Sequence, residues 1–226
     1  MKQIKKIKEP SDFVEHRVKP DATFDNIPTS VKDNLREALL KSQGYICCYC
    51  MGRIDHRSSK IEHFKSQKYN NGKDGSENLT LDYKNLFVAC ADSGGKYETQ
   101  TCDSHKKELE LKTIDLTSPL CDSMFKYDGN GGISSVSDDS DVEKDINDIL
   151  NLNQQTLKDN RKVIYKKIQE RFKVYQKKEC FNMSFLNKEL SHWSSKDNEG
   201  QYYEYCMVAV YLIKKYIGKL EKQQKK

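Results

Sequence analysis

A chain of 226 residues suits one domain with a substantial extension, or two small domains, and can bury a real core. With 36% hydrophobic and 32% charged residues the surface must be strongly charged, and a net charge of +5 is compatible with a polyanionic partner without demanding one. The most apolar run, Tyr205 to Ile217, is broken by Lys214-Lys215 and is too short for a bilayer, and the basic Met1 to Lys6 lacks the apolar core of a signal peptide. No membrane association and a cytoplasmic location are therefore expected. In that reducing setting the eight cysteines read as metal ligands or packed thiols, and the glycosylation patterns at Asn78 and Asn182 as idle matches.

In chain order, Pro28-Thr29-Ser30 with Asp33 predicts a helix capped by Ser30, with Val31, Leu35, Ala38 and Leu39 on its apolar face and Gly44 as its stop. Tyr45 to Cys50 is expected as a short strand, with Ile54 and Ile61 to Phe64 as the second arm of a hairpin. Asn70 to Ser76 has loop chemistry, and Leu86 to Cys90 is apolar enough to be buried. Asp92 to Lys96 reads as a flexible excursion, and Cys102 as the start of a helix ending near Leu111. Phe125 to Tyr127 and Ile133 to Val136 flank Asp128-Gly129-Asn130-Gly131-Gly132, a hairpin signal. A calcium loop there is rejected, because the later glycine and distal glutamate are absent. Ser137 to Asp141 predicts the cap of a helix running to about Leu150. Leu157, Ile164, Ile168, Phe172 and Tyr175 form the stripe of a long helix, Tyr202 to Leu220 another, and the terminal lysines a solvated face.

Two cysteine pairs, Cys47/Cys50 and Cys90/Cys102, bracket a Glu62-His63 dipeptide and Asn85. Each short loop would supply two thiolates to a tetrahedral zinc ion (Zn²⁺), which staples the loops together. The insertion between Cys90 and Cys102 is far longer than the usual knuckle spacer, but loop length costs closure entropy only slowly. A neutral imidazole can take a proton from water at neutral pH, which makes His63 a candidate general base. Oxygen ligands nearby would suit a hard divalent cation, and base and cation together are the equipment for phosphodiester hydrolysis. Cys48, Cys121, Cys180 and Cys206 read as packed thiols, and His16, His56, His192 and Trp193 as packing or surface residues.

The order Cys47-Cys48-Tyr49-Cys50, Ile61-Glu62-His63-Phe64, Tyr83-Lys84-Asn85-Leu86, then Cys90 and Cys102-Asp103 with Lys106, resembles the HNH, or ββα-metal, endonuclease motif in its zinc-stapled form. It is most similar to the PtuB-type HNH nucleases of the Septu and retron anti-phage systems. The likeness extends from Leu35 to Gln43, through Phe125 to Tyr127 and Gly132-Ile133, to Leu150-Asn153 and Leu157 to Arg161. It implies an α+β fold: an N-terminal segment and helix (1–44), a zinc-stapled ββα-metal unit (45–112), and a hairpin with a mainly helical platform (113–226).

The resemblance further implies a metal-dependent endonuclease acting on DNA or on RNA such as tRNA. His63, Asn85 and Glu62 would be its catalytic residues, with Asn85 holding the base-bearing loop. Structural zinc would sit on Cys47, Cys50, Cys90 and Cys102, and catalytic Mg²⁺ or Mn²⁺ on Glu62 and Asp103. Aspartate replaces the His or Asn usual at that third position, and His105 is the alternative ligand. The implied partner is a PtuA-like ATPase subunit, with a retron reverse transcriptase and its DNA–RNA hybrid as a further candidate. Two other readings stay open: a zinc-stapled binding module without cleavage, and a thiol redox protein. A pure binder has no need to keep Glu62, His63, Asn85 and Asp103 together.

Overall fold

The computed structural model describes residues 1–68, 72, 78–91 and 95–224. Most of the expected Asn70 to Ser76 loop, and Asp92, Ser93 and Gly94 of the excursion, lie outside the described residues. Two helices come first, α1 (Ser11–Arg17) and α2 (Thr29–Gln43), the former not anticipated from sequence. Pro28, with φ fixed near the helical value, occupies the cap position of α2, so Ser30 is inside the helix and caps nothing. Gly44 ends α2 as expected, in the left-handed conformation at φ +62. A Cβ there would meet Tyr202 Cδ2 at 2.5 Å, so glycine is needed for both the turn and the close approach.

Tyr45 to Cys50 is not a strand. Tyr45 and Met51 hold left-handed backbone (φ 58 and 67), which extended pairing does not tolerate, and the Met51 N–H donates to Cys47 O (3.1 Å) to close a tight turn. Only the bridge Ile46↔Arg53 remains of the expected hairpin. The strand carrying His63, β1 (Ser59–His63), instead pairs antiparallel with β2 (Leu86–Cys90), in the register Ser59↔Cys90 to His63↔Leu86. Leu86 to Ala89 are buried, as their unbroken apolar run requires. The Gln43 side chain stands in for a further strand: it donates to Val88 O (2.8 Å) and accepts from Val88 N–H (2.7 Å).

Cys102 opens α3 (Cys102–Lys106), which stops well short of Leu111. The break comes at Lys107, whose backbone at φ +50 cannot continue the helix, and further on the buried Asp145 carboxylate accepts from the backbone N–H groups of Lys112, Thr113 and Ile114. The predicted hairpin forms as β3 (Phe125–Tyr127) and β4 (Ile133–Ser135). The next helix, α4 (Ser140–Lys144), is capped by Asp139 rather than from Ser137, and widens into a π-turn over Asp145–Ile149.

Three longer helices follow: α5 (Gln155–Lys177), α6 (Met183–Ser194) and α7 (Cys206–Gln224). α7 starts later than Tyr202 because Tyr205 has φ +51 and its N–H is taken by Met51 O (2.9 Å). It packs on α5, α6 and β3. The fully buried Arg161 ties α5 to the hairpin, donating to Gly131 O (2.6 Å) and Leu152 O (2.7 Å). One contiguous core runs from Leu39 and Tyr49 through Phe87 and Leu150 to Ile168 and Val208. The architecture is α+β, seven helices and two small two-stranded sheets among the described residues, and no described helix is long and apolar enough to cross a membrane.

Candidate metal centre and active site

Three local structures bring the four thiols together. Cys47 and Cys50 flank the tight turn, where Cys47 N–H reaches Gly52 O (2.9 Å) and the Gly52 N–H donates to Cys50 Sγ (3.3 Å). Cys90 is the last residue of β2, and Cys102, at φ +57, is anchored by its N–H to Leu150 O (2.9 Å). The sulfurs lie within 4.8 Å of one another, with Cys47–Cys102 and Cys90–Cys102 at 3.8 Å and Cys50–Cys90 at 3.5 Å. A tetrahedral ion with Zn–S bonds of about 2.3 Å sets its sulfurs about 3.8 Å apart. A disulfide would require about 2.05 Å.

Charge agrees with that fit. Burial works against ionising Cys47, yet hydrogen bonds from Cys102 and the neighbouring thiols hold it well below the usual thiol range. Cys102 is pushed well above it, first by its bond to Cys47. Close-packed sulfurs that favour a thiolate at Cys47 are an arrangement that a dication relieves. The cluster can therefore hold a metal ion such as zinc.

Beside the clip, Glu62, His63 and Asp103 line one cavity of about 140 Å³ together with Ser66, Gln67, Lys107 and Glu108. Glu62 and His63 are consecutive at the end of β1, where the pairing with β2 closes at His63↔Leu86, and both reach the cavity. Glu62 is buried and accepts from Tyr49 Oη (2.8 Å) and from the fully buried Lys106 (2.9 Å). Asp103 pairs with Lys60 at 2.7 Å. Burial, and then the adjacent Asp103, push the Glu62 carboxyl well above the usual range. Asp103 goes the other way: burial opposes its charge, but the hydrogen bond from Glu62 and the Lys60 and Lys106 ammonium groups hold it below that range. Burial and proximity thus favour the charged form at Asp103 more than at Glu62. Two adjacent carboxyl groups are the donor type that a hard cation takes.

The His63 ring is held from three sides. Nε2 faces Thr80 O (2.9 Å), Nδ1 faces Gln67 Nε2 (3.0 Å), and the Phe24 ring packs edge-on at 4.4 Å. A carbonyl can only accept, so Nε2 carries the hydrogen. Burial pushes the imidazole below its ordinary pKa, so in the neutral ring Nδ1 holds the lone pair. Asn85 does not touch that ring. Its amide accepts from Lys65 N–H (2.7 Å) and donates to Lys65 O (3.0 Å) and Leu79 O (3.1 Å), pinning the chain just after His63 and just before Thr80. His105 turns away from the cavity: Nδ1 faces Ile149 O (3.0 Å) and its ring stacks on Tyr97 at 4.2 Å.

Sequence reasoning gave no role to Tyr49, Lys60, Gln67 or Lys106, although Tyr49 and Lys106 stand within the motif it quoted. Gln67 offered a further signal, an amide four residues after a candidate base, and Lys60 arrives through tertiary packing.

The fold and site define a mixed α+β protein in which a four-thiol cluster able to hold a metal ion borders a cavity lined by one imidazole and the carboxyl groups of Glu62, Asp103 and Glu108. No family model matches the chain. It is 32% identical over 137 residues to the "Retron Vc95 putative HNH endonuclease" of Vibrio cholerae serotype O1 biovar El Tor, which covers 58% of this chain and 63% of that protein. It is 30% identical over 131 residues to the "Septu protein PtuB" of Bacillus thuringiensis, covering 56% of this chain and 48% of that protein. The match thus spans less than two thirds of either relative. Over these stretches the chain is similar to a retron protein named as a putative HNH endonuclease and to a Septu protein, and the resemblance read from the sequence is borne out.

Proposed function

We propose that the chain is a metal-dependent HNH endonuclease that hydrolyses phosphodiester bonds, DNA before RNA, as the effector of an anti-phage system working in the cytoplasm with an ATPase partner. Residues 45–112 would form the nuclease unit, with 1–44 and 113–226 supporting it. The observation that carries this reading is the convergence of His63, Glu62 and Asp103 on one cavity beside the four-thiol clip.

In this reading zinc is structural, held by Cys47, Cys50, Cys90 and Cys102, and Glu62 and Asp103 hold Mg²⁺ or Mn²⁺. That cation, when bound, supplies charge stabilisation for the phosphorane and the leaving oxygen. His63 takes the proton of the attacking water at Nδ1, while the Nε2–H bond to Thr80 O fixes the tautomer and steadies the imidazolium that forms. Gln67 must first release Nδ1, since an occupied lone pair accepts no proton. Asn85 keeps Lys65 and Leu79 in place so that the ring and its carbonyl partner stay aligned.

The second reading, a zinc-stapled binding module, draws on one observation: Lys60 and Lys106 already balance the charge on the carboxyl pair. Incubating the full chain, alone and with the ATPase, with DNA and with tRNA in Mg²⁺ or Mn²⁺ separates the two. Cleavage that requires the divalent ion supports the nuclease. Tight binding with no cleavage in any arm leaves the binding module.

A further inference from the structure

A second cavity, of about 240 Å³, opens among α5, α6 and the segment before α7, and shares no lining residue with the His63 cavity. Three aromatic rings make its wall: Tyr203 lies 4.6 Å from His192 and 5.2 Å from Trp193. Trp193 is buried, Tyr203 is half-buried, and His192 is exposed. Around these rings stand three exposed cations, Lys167 and Arg171 from α5 and Lys188 from α6. The one carboxylate, Glu189, is buried and taken up by Arg171 at 2.6 Å. Lys167 and Lys188 therefore leave the cavity with an excess of positive charge over an aromatic wall, and Lys167 Nζ sits 5.7 Å from the Trp193 ring centre.

Each half of this arrangement asks for something different. A simple anion gains nothing from rings, and an apolar ligand gains nothing from ammonium groups. A planar base carrying a phosphate uses both, through stacking and charge-assisted hydrogen bonds. The size agrees, because ligand pockets for drug-sized molecules span roughly 300–1,000 Å³ and this one falls just below, which suits one base and its phosphate but not a dinucleotide. We infer that this cavity binds a nucleoside phosphate, with the base against His192 and Tyr203 and the phosphate on Lys167 and Lys188. The ligand is either a free mononucleotide or one unit of a single strand, and its binding does not depend on the reaction proposed at His63.

Trp193 is the chain's single tryptophan, so its fluorescence reports on this cavity directly. The full chain, without added Mg²⁺ or Mn²⁺, is titrated with adenosine monophosphate, with a short single-stranded oligonucleotide and with inorganic phosphate. A saturable change is expected with the mononucleotide, the oligonucleotide or both, at about ten-fold lower concentration than phosphate, as one stacked base provides. Response to the oligonucleotide alone assigns the strand as the source; an equal response to the mononucleotide assigns the free nucleotide. The response should weaken about ten-fold in Lys167→Glu/Lys188→Glu, or in Lys167→Ala/Lys188→Ala if charge reversal unfolds the chain, as losing the phosphate contacts requires. No saturable change with either nucleotide probe overturns the inference. So does phosphate saturating at the same concentration, or a double variant that titrates like the wild type.

Discussion

The cysteine clip and the His63 cavity share the β1–β2 pair, yet one is complete and the other is deliberately unfinished. The clip supplies four protein donors at tetrahedral spacing, three of them fully buried, and leaves no position for solvent. The cavity offers the carboxyl groups of Glu62 and Asp103, with Glu108 also on its lining, and lysines stand where cationic charge is wanted. A metal that holds a fold together and a metal that does chemistry need opposite coordination, because the second must keep positions open for water and phosphate. If that contrast is right, substitutions in the clip should cost the fold and substitutions in the cavity should cost only the reaction.

The largest expected effect is therefore at the clip. Structural zinc contributes on the order of 10 kcal/mol to small zinc domains, so serine at Cys47, Cys50, Cys90 or Cys102 should abolish bound zinc and most soluble protein together. Metal analysis and a melting curve decide it, and a Cys102→Ser protein with full zinc and normal melting would show that the long insertion does not pair as drawn. Next comes His63→Ala, which should lower cleavage by roughly 10²–10⁴-fold while zinc content and melting stay at wild-type values. Residual cleavage within a few-fold of wild type would remove His63 as the base.

Smaller effects sharpen the cavity itself. Asp103→Ala should raise the Mg²⁺ concentration needed for half-maximal cleavage by about ten-fold, with partial rescue by the softer Mn²⁺. His105→Ala, whose ring faces Ile149 O and Tyr97, should not move that midpoint. The reverse pattern in a metal titration would hand the ligand role to the imidazole. Smallest is Gln67→Ala, which uncovers Nδ1 and should raise the cleavage rate by a few-fold, about 1 kcal/mol for one neutral hydrogen bond. A fall in rate would make Gln67 a residue that orients the ring instead of one that covers it.

The two regions also differed in how far the sequence exposed them. Paired thiols on either side of a polar segment have few uses, so Cys47, Cys50, Cys90 and Cys102 could be grouped from their order and chemistry despite the long insertion. Strand partners could not. Left-handed Tyr45 and Met51 are not glycines, so nothing local announced a turn at Tyr45 to Cys50, and the true partner of β1 lies across the intervening loop. α3 is cut short at Lys107, a non-glycine residue at φ +50 that nothing in the local sequence announced. Asn182 shows a missed signal of another kind: dismissed as an idle glycosylation match, it caps α6 by accepting from Phe185 N–H (2.9 Å). Phe185, Leu186, Glu189 and Trp193 then recur at helical spacing behind it.

The most direct test of the central claim measures zinc and cleavage on the same samples. Wild-type and His63→Ala protein, each assayed for bound zinc, would be incubated with DNA and RNA in Mg²⁺, with the ATPase partner present. The account predicts about one zinc per chain in both proteins and nucleic-acid cleavage by the wild type alone. Equal cleavage by both proteins, or zinc lost with His63, would contradict the separation of clip and cavity on which the account rests.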